Sequence, residues 1–300
     1  MSYPRHIPRS KCVSRASSRA GACAGVLLAS VTALVSLGGM HVAPAVAAPA
    51  PSPSAQSHAT AGVNATKQRP SKVRVTAAAL GLDGGSRKPL LDGEDAPYDT
   101  ASIVKVDILA TLLLQAQDKG RHLTAPERAL AEPMIRNSDN AATNTLWREI
   151  GGASGLGEAN KRIGLTSTKG GPGTKWGLTQ TTASDQIRLL FSVFDGATKA
   201  KTDSPLNKDS RAYIRTLMTR VADDQAWGVS AVSRSDYALK NGWLQRTTTG
   251  LWDVNSVGRV TVDGHHYLVA VLSDGNVSMR DGVSAVERAA GRAVTATTRT

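Results

Sequence analysis

The spacing of apolar residues changes along the chain and predicts three successive blocks of secondary structure. Short apolar runs at residues 73–82 and 88–93 flank the turn Asp83-Gly84-Gly85 and predict two strands. Apolar residues then recur at helical spacing, which predicts helices at 102–119, 123–136, 141–150, 158–163, 182–194 and 210–221. The last block predicts strands at 237–243, 251–256, 258–262 and 267–272, followed by a helix at 281–294.

Strands at both ends of this region, with helices between them, predict a mixed α/β (α+β) fold. In this arrangement one antiparallel sheet is made from both chain ends, and the helical block is inserted between them. The turn Asp263-Gly264 is typical of a hairpin and joins the last two predicted strands. Residues 167–178 are predicted to form a loop, because four glycines and a proline fall within them.

The first helix of the block combines an apolar sequence with two reactive side chains. Nearly every residue from 103 to 114 is apolar, so the helix should be buried on most sides, with Thr100 as its N-cap. Ser102 and Lys105 lie three positions apart, on one face of the helix and within reach of each other. Burial lowers the pKa of a lysine, and a neutral amine can accept a serine proton. The pair is therefore a candidate for nucleophilic catalysis, although a Ser-x-x-Lys spacing alone has little specificity.

Residues 1–48 have the pattern of a secretory signal peptide. A basic start precedes the uncharged apolar run 20–37, and Ala45-Val46-Ala47 offers a site of small residues for cleavage. This pattern predicts cleavage near Ala47 and a secreted, extracytoplasmic protein. An uncleaved membrane anchor is the alternative.

The segments that follow the apolar run complete the predicted organisation. Both cysteines, Cys12 and Cys23, lie within residues 1–48, and Cys23 precedes most of the apolar run, which argues against a lipoprotein anchor. Residues 49–72 are rich in Pro, Ser, Ala and Thr and predict a disordered linker. The folded domain should then span residues 73–295.

The net charge of +12 changes this picture little, because much of the excess lies in the N-terminal segment. Five basic residues fall in the first twenty positions: Arg5, Arg9, Lys11, Arg15 and Arg19. Moderate positive charge suits anionic surroundings such as a cell wall. No basic stripe with interleaved aromatic residues occurs, so nucleic acid is not an expected partner. No spacing of His, Asp and Glu suits a metal ion, and no loop suits a phosphate group, so neither a metal nor a cofactor is expected.

Two further motifs follow the Ser-x-x-Lys pair in the order of the chain. Ser138-Asp139-Asn140 lies between two predicted helices, and Lys240-Asn241-Gly242 lies on the first of the late strands. These three motifs in this order resemble the signature of the serine β-lactamase and penicillin-binding DD-peptidase superfamily. The chain is most similar to class A β-lactamases, from about residue 73 to residue 290. The resemblance implies the β-lactamase/transpeptidase-like version of the fold predicted above.

The resemblance also implies roles for the residues that match the motifs. Ser102 would attack a carbonyl carbon and form an acyl-enzyme, and Lys105 would be its base. Ser138 would relay a proton to the departing nitrogen. Asn140 would hold the side-chain amide of the substrate.

The remaining matches are implied substrate-binding residues on the first late strand. Lys240 would supply positive charge to the proton relay and to a substrate carboxylate. Asn241 stands where the family has Thr or Ser, so an amide replaces the hydroxyl that meets the carboxylate. Gly242 would let the substrate lie close to the strand. The backbone N–H groups of Ser102 and Trp243 would form the oxyanion hole.

One departure bears on turnover. Class A β-lactamases place a glutamate in the loop after their second motif, where it activates the water that releases the acyl group. Residues 164–180 of this chain contain no acid. The resemblance therefore implies that β-lactams acylate Ser102 and are released slowly.

The expected function is that of an exported serine hydrolase acting on an amide through an acyl-enzyme. Its ligand would be a small β-lactam or a peptidoglycan peptide, and the protein is expected to be a monomer. A cell-wall D-alanyl-D-alanine peptidase and a non-catalytic muropeptide- or β-lactam-binding protein are the alternatives. Trp176 and Trp227 are candidates for the border of the cleft, whereas Trp147 and Trp252 are expected in the core.

Overall fold

The sheet of this protein joins the two ends of the folded region. The computed structural model describes residues 72–84, 87–194, 204–233 and 236–299. Its strands are β1 (Arg74–Gly81), β2 (Leu90–Asp92), β3 (Tyr98–Asp99), β4 (Gln180–Thr181), β5 (Tyr237–Gln245), β6 (Trp252–Val262) and β7 (His265–Asn276). Within the described chain, five strands form an antiparallel sheet in the order β2-β1-β7-β6-β5, and β3 pairs with β4 separately.

The helices occupy the middle of the chain and its C-terminal end. They are α1 (Val104–Asp118), α2 (Ala125–Arg136), α3 (Asn140–Glu149), α4 (Gly152–Ile163), α5 (Ala183–Phe194), α6 (Lys208–Met218) and α7 (Met279–Thr297). This order of elements confirms the predicted α+β fold, with a sheet from both chain ends and a helical block between them. None of the helices in the described residues is long and apolar enough to cross a membrane.

The predictions for the N-terminal segments are not tested by this fold. The chain divides into two units, Met1–Asn64 and Ala65–Thr300, and all described residues lie in the second. The predicted signal peptide and nearly all of the predicted linker lie outside the described residues. The domain limits 73–295 stay a prediction.

The sheet is buried on both faces, which explains the continuous apolar sequence of its first strand. In β1, Ala78 and Leu80 face the helical block, while Ala77 and Ala79 face the C-terminal helix α7. β1 pairs with β7 along its whole length, from Arg74 opposite Asp274 to Gly81 opposite Tyr267. The two chain ends are therefore locked together in the centre of the sheet, and β5 is left as an edge strand.

Helix α1 runs through the core of the helical block, as its apolar sequence predicts. All its residues from Val104 to Leu114 are buried. The predicted N-cap is wrong, however, because the Thr100 side chain makes no capping hydrogen bond. The chain instead enters the helix through a 3₁₀ turn, Ala101–Ile103, which carries Ser102.

Two predicted element boundaries are wrong, and in both places the observed element contains a glycine. Helix α4 begins at Gly152 and not at residue 158, and a Cβ at Gly155 would lie 1.7 Å from the Ile150 carbonyl oxygen. The late strands predicted at 251–256 and 258–262 are one strand, β6. A Cβ at Gly258 would lie 2.3 Å from the Ala238 carbonyl oxygen. Both glycines serve close packing, which overrides their low intrinsic propensity.

Candidate active site

Ser102 lies on a turn that is held from two sides. β3 leads into this turn and pairs with β4, and the Thr100 N–H donates to the Thr179 carbonyl oxygen at 2.8 Å. From the sheet, the Asn255 amide donates to the carbonyl oxygens of Asp99 and Thr100, at 2.9 and 3.1 Å. Ala101 has a positive φ of 46°, a conformation that costs energy in a non-glycine residue and persists only where neighbours fix it. The position of Ser102 is therefore fixed by contacts outside its own helix.

The edge strand β5 lies directly against this turn at Gly242. A Cβ at this position would lie 2.6 Å from the Ser102 nitrogen and 2.8 Å from the Ile103 nitrogen. Only glycine permits this approach. Trp243 follows on the same strand and lines the same cleft as Ser102. The backbone of β5 and the N–H of Ser102 are thus close enough to serve one substrate atom.

Two buried lysines converge on the hydroxyl of Ser138. Lys105 Nζ donates to Ser138 Oγ at 3.0 Å, to the Ser138 carbonyl oxygen at 2.7 Å and to Asn140 Oδ1 at 2.9 Å. Lys240 Nζ donates to Ser138 Oγ at 3.0 Å and to the Asn241 carbonyl oxygen at 2.8 Å. In the described chain no hydrogen bond joins Lys105 to Ser102. The structure therefore brings all three predicted motifs together, with Ser138 at their centre.

Burial makes both lysines readier to lose a proton. It lowers the pKa of Lys105 to about 7, and the carboxylate of Asp139 opposes this effect. Burial also lowers the pKa of Lys240 well below its usual range, and the nearby charge of Lys105 lowers it further. Two ammonium groups around one hydroxyl repel each other, so at least one amine is favoured as neutral near neutral pH. Such a pair can move a proton through the hydroxyl between them.

Ser138 and Asn140 owe their positions to the turn between α2 and α3. Ser138 has a positive φ of 56°. Asp139 caps α3, because its carboxylate accepts from the Ala142 N–H at 2.6 Å. Asn140 is the first residue of α3 and points its amide oxygen at Lys105. The second motif is therefore a helix cap that also presents three polar groups to Lys105: the hydroxyl and carbonyl of Ser138 and the amide oxygen of Asn140.

Asn241 is placed differently from the other predicted site residues. Its side chain is fully buried, and its amide nitrogen donates to the carbonyl oxygens of Gln225 and Trp227 at 2.8 and 2.9 Å. Both amide hydrogens are thereby used on backbone, so none is left for a substrate carboxylate. The strand alternation that turns Lys240 towards Ser138 turns Asn241 the other way.

The cleft beside Ser102 has a volume of about 610 Å³. Its walls are residues 174–178 of the glycine-rich loop on one side and the end of β5 with residues 246–248 on the other, and Asn140 and Asn144 also line it. Trp176 borders it, as predicted. Trp227 packs beside Trp243, with ring centroids 5.8 Å apart, and does not line the cleft. Trp147 is buried in the core, and Trp252, the first residue of β6, is partly buried against the core residues between the sheet and α7.

The sequence of this chain matches a known protein family. The model of the beta-lactamase enzyme family (Beta-lactamase2) matches residues 119–297, which is more than half of the chain. The chain belongs to the beta-lactamase enzyme family. The matched range contains Ser138 and Lys240 but starts after Lys105, so the Ser-x-x-Lys pair lies outside it.

Solved structures of low sequence identity share the fold of this family member. A PBP-A mutant, solved as an acyl-enzyme complex with penicillin G, superposes with a TM-score of 0.61 at 22% identity, covering 76% of this chain and 91% of that one. The TLA-1 extended-spectrum beta-lactamase gives 0.62 at 16% identity, with 74% and 92% covered. A beta-lactamase from Chitinophaga pinensis gives 0.61 at 19% identity, with 74% and 92% covered. These likenesses confirm the predicted superfamily fold.

Proteins related in sequence match a smaller part of this chain than the solved structures do. A Mycobacterium tuberculosis protein named "Putative lipoprotein LppW" is 31% identical over 139 residues, which is 43% of this chain. The Mycobacterium bovis protein of the same name matches equally. The match spans only 44% of the length of these relatives.

Sequence reasoning missed a neutral polar network beneath the Ser102 turn. Asn255 Oδ1 accepts from the Ser273 N–H at 3.1 Å, and Ser273 Oγ donates to the Val254 carbonyl oxygen at 2.6 Å. Asn276 donates to Ser273 Oγ and to the Trp252 carbonyl oxygen, both at 3.0 Å. Of these residues only Asn255 lies inside a predicted strand, whereas Ser273 and Asn276 follow the predicted end at residue 272, because β7 continues to Asn276. The one available signal was the polar Asn255 where the strand pattern expects an apolar residue.

Proposed function

We propose that this beta-lactamase family member is a serine hydrolase that opens an amide bond through an acyl-enzyme on Ser102. One observation carries the proposal: Lys105 and Lys240 both donate to the Ser138 hydroxyl, beside the turn that bears Ser102. Lys105, when neutral, takes the proton of Ser102 as its oxygen attacks the carbonyl carbon. The proton then reaches the leaving nitrogen through Ser138 as the C–N bond breaks.

Substrate binding follows from the walls of the cleft. The N–H groups of Ser102 and Trp243 stabilise the negative oxygen that develops on the attacked carbonyl group. Asn140 holds a substrate amide, and Lys240 supplies positive charge for a carboxylate. Asn241 acts through its backbone, because its side chain is bound to Gln225 and Trp227.

We infer that penicillins acylate Ser102 and that the acyl-enzyme is then hydrolysed slowly. Among the described residues that line the cleft there is no carboxylate, and the sequence of residues 164–180 contains none. A placed general base contributes about 10²–10⁴-fold to such a step, and this cleft offers no carboxylate for the purpose. A small β-lactam and a peptidoglycan peptide both fit this chemistry, so a cell-wall D-alanyl-D-alanine peptidase is the second candidate.

The test is covalent labelling of the full-length protein with benzylpenicillin, followed by intact-mass spectrometry and peptide mapping. The expected result is one adduct per chain on Ser102, which persists for minutes, and no adduct on the Ser102→Ala variant. A protein that binds penicillin without any adduct would be a non-catalytic binding protein. Rapid turnover of the chromogenic cephalosporin nitrocefin, with no adduct at any time, would contradict slow release.

We also propose that the protein acts outside the cytoplasm. The signal-like pattern of residues 1–48 and the name of the mycobacterial relatives, a lipoprotein, support this location. The mature N-terminus, sequenced from culture medium, should lie just after Ala47. Full-length protein retained in the membrane fraction would instead support the uncleaved anchor.

A further inference from the structure

The indole ring of Trp176 lies against the ammonium group of Lys105. The distance from Lys105 Nζ to the ring centroid is 4.8 Å. Trp176 is half-buried and opens the 3₁₀ turn Trp176–Leu178, which forms one wall of the cleft beside Ser102. No motif of the sequence pointed to this contact, and the function proposed above does not use it.

The ring is fixed from two directions. Its Nε1 donates to Asn144 Oδ1 on α3 at 2.8 Å. The end of its turn is tied to the Ser102 turn, because the Thr100 N–H donates to the Thr179 carbonyl oxygen. Gly171, earlier in the loop, donates its N–H to Thr179 Oγ1 at 3.0 Å. The indole ring therefore has a fixed orientation in the site and does not rotate freely as a surface side chain would.

The contact leaves no room for a water molecule between Lys105 and the ring. A water on that line would need about 3 Å to the nitrogen. It would need about 3.5 Å more to the ring carbons. The observed 4.8 Å is too short for both contacts. The indole thus closes this face of the amine to solvent.

The other directions around Lys105 are occupied by protein. Its three hydrogen bonds go to the two oxygens of Ser138 and to Asn140 Oδ1. A lysine has three donor positions when charged, and all three are used. In its charged form Lys105 therefore has no donor position left to hold a water near an acyl group at Ser102.

Release of the acyl group needs such a water. The water oxygen bonds to the acyl carbon, and a base takes one of its protons. The bond between that carbon and Ser102 Oγ then breaks, and the proton returns to Ser102 Oγ. No carboxylate lines the described cleft, so Lys105, three residues along the chain from Ser102, is the candidate base.

We propose that Trp176 is a positioning residue that shields Lys105 from water and so sets the lifetime of the acyl-enzyme. The proposal rests on the acyl-enzyme function given above and explains its slow release by a named side chain. The ring holds Lys105 towards Ser138 and Asn140, where it serves acylation, and keeps water from the face where the amine would serve hydrolysis.

The experiment follows release of the benzylpenicillin adduct by intact mass after excess drug is removed, for full-length wild type, Trp176→Leu and Trp176→Phe. The leucine variant opens the face of Lys105 and should release the adduct at least about tenfold faster, a part of the contribution of a general base. The phenylalanine variant keeps a ring but loses the bond to Asn144, and should stay within about threefold of wild type. Equal release rates for wild type and Trp176→Leu would overturn the proposal.

A matched control separates the ring from the stiffness of the loop. Trp147 Nε1 donates to the Gly173 carbonyl oxygen of the same loop at 2.8 Å, and Trp147 does not line the cleft. Trp147→Phe should therefore leave the release rate unchanged, and acceleration equal to that of Trp176→Leu would overturn the proposal. If Trp176→Leu does not fold, Trp176→Gln, which also removes the ring, decides: faster release supports the shield, and an unchanged rate refutes it. Absence of any adduct on wild type would instead refute the acyl-enzyme function, and the shield with it.

Discussion

Two polar networks flank the turn that carries Ser102, and they differ in kind. The lysine network consists of Lys105, Ser138, Asn140 and Lys240 and contains two ionisable groups beside the cleft. The asparagine network consists of Asn255, Ser273 and Asn276, lies in β6 and β7 beneath the turn, and contains none. Both lysines and all three residues of the asparagine network are buried, whereas Ser138 is half-buried and Asn140 is exposed. Burial has opposite consequences in the two networks.

In the lysine network, burial changes the protonation equilibrium of the amines. Removing an ammonium group from water favours its neutral form, so the pKa falls and the amine becomes able to accept a proton. In the asparagine network, burial instead requires that each polar group keeps its hydrogen bonds, which fixes the positions of the backbone atoms. Amide and hydroxyl groups that cannot ionise are satisfied by backbone atoms, and each unmade bond would cost the desolvation of a buried group. One network can change its protonation during a reaction, and the other keeps the backbone fixed while that happens.

The largest expected effect comes from removing the amine. Lys105→Ala should slow acylation by benzylpenicillin about 10²–10⁴-fold, because the variant loses its general base and a general base typically contributes a rate factor of that size. The measurement is the rate of adduct formation by intact mass. Lys119→Ala, at the exposed end of the same helix, is the control and should acylate at the wild-type rate. A Lys105→Ala protein that acylates normally would remove the lysine network from the mechanism.

A smaller effect is expected from the asparagine network, and it should depend on position within it. Asn255→Ala removes two bonds to the Ser102 turn, and a displacement of the nucleophile by about 1 Å slows acylation by up to about 10²-fold. Asn276→Ala removes bonds of the same type to Trp252 and Ser273, farther from Ser102. Both variants should lose about 1–3 kcal/mol of unfolding free energy in urea.

These two variants separate positioning from stability. Only Asn255→Ala should slow acylation, while Asn276→Ala should stay within about threefold of wild type, as expected for a residue outside the site. If acylation falls equally in both, the asparagine network acts through stability alone.

The sequence predicted one network and not the other for a physical reason. Ser102 and the residues of the lysine network lie in short motifs of three or four consecutive positions, which can be recognised in the sequence without the fold. Asn255 reaches Asp99 and Thr100 across more than 150 positions, a contact that only the assembled sheet creates.

The same limit explains the missed boundaries of α4 and β6. Glycine lowers local propensity, but Gly155 and Gly258 are required by the backbone of a neighbouring element. The side chain of Asn241 is a third case. The resemblance indicated which residue stands in the motif but not that the carbonyl groups of Gln225 and Trp227 would take its amide.

The smallest effects are in pH dependence, where the two networks should differ most clearly. Lys105 has its pKa lowered to about 7 by burial, and its neutral form is the base. Acylation should therefore rise about tenfold between pH 6 and pH 8 and level off above that range, since one group of this pKa is deprotonated there. Burial also lowers the pKa of Lys240 well below its usual range, but Lys240 is not the base for Ser102, so the profile should follow Lys105.

The midpoint of this profile reports on the charged neighbours of Lys105. The carboxylate of Asp139 favours the ammonium form and raises the pKa of Lys105. Asp139→Asn keeps the cap of α3, because asparagine caps a helix as well as aspartate does. It removes the negative charge, so the midpoint should move to lower pH, by less than about one unit for a partly solvated charge. Asn255→Ala should lower the rate at every pH without moving the midpoint, because that network holds no ionisable group. A midpoint that moves in Asn255→Ala but not in Asp139→Asn would contradict the division between the two networks.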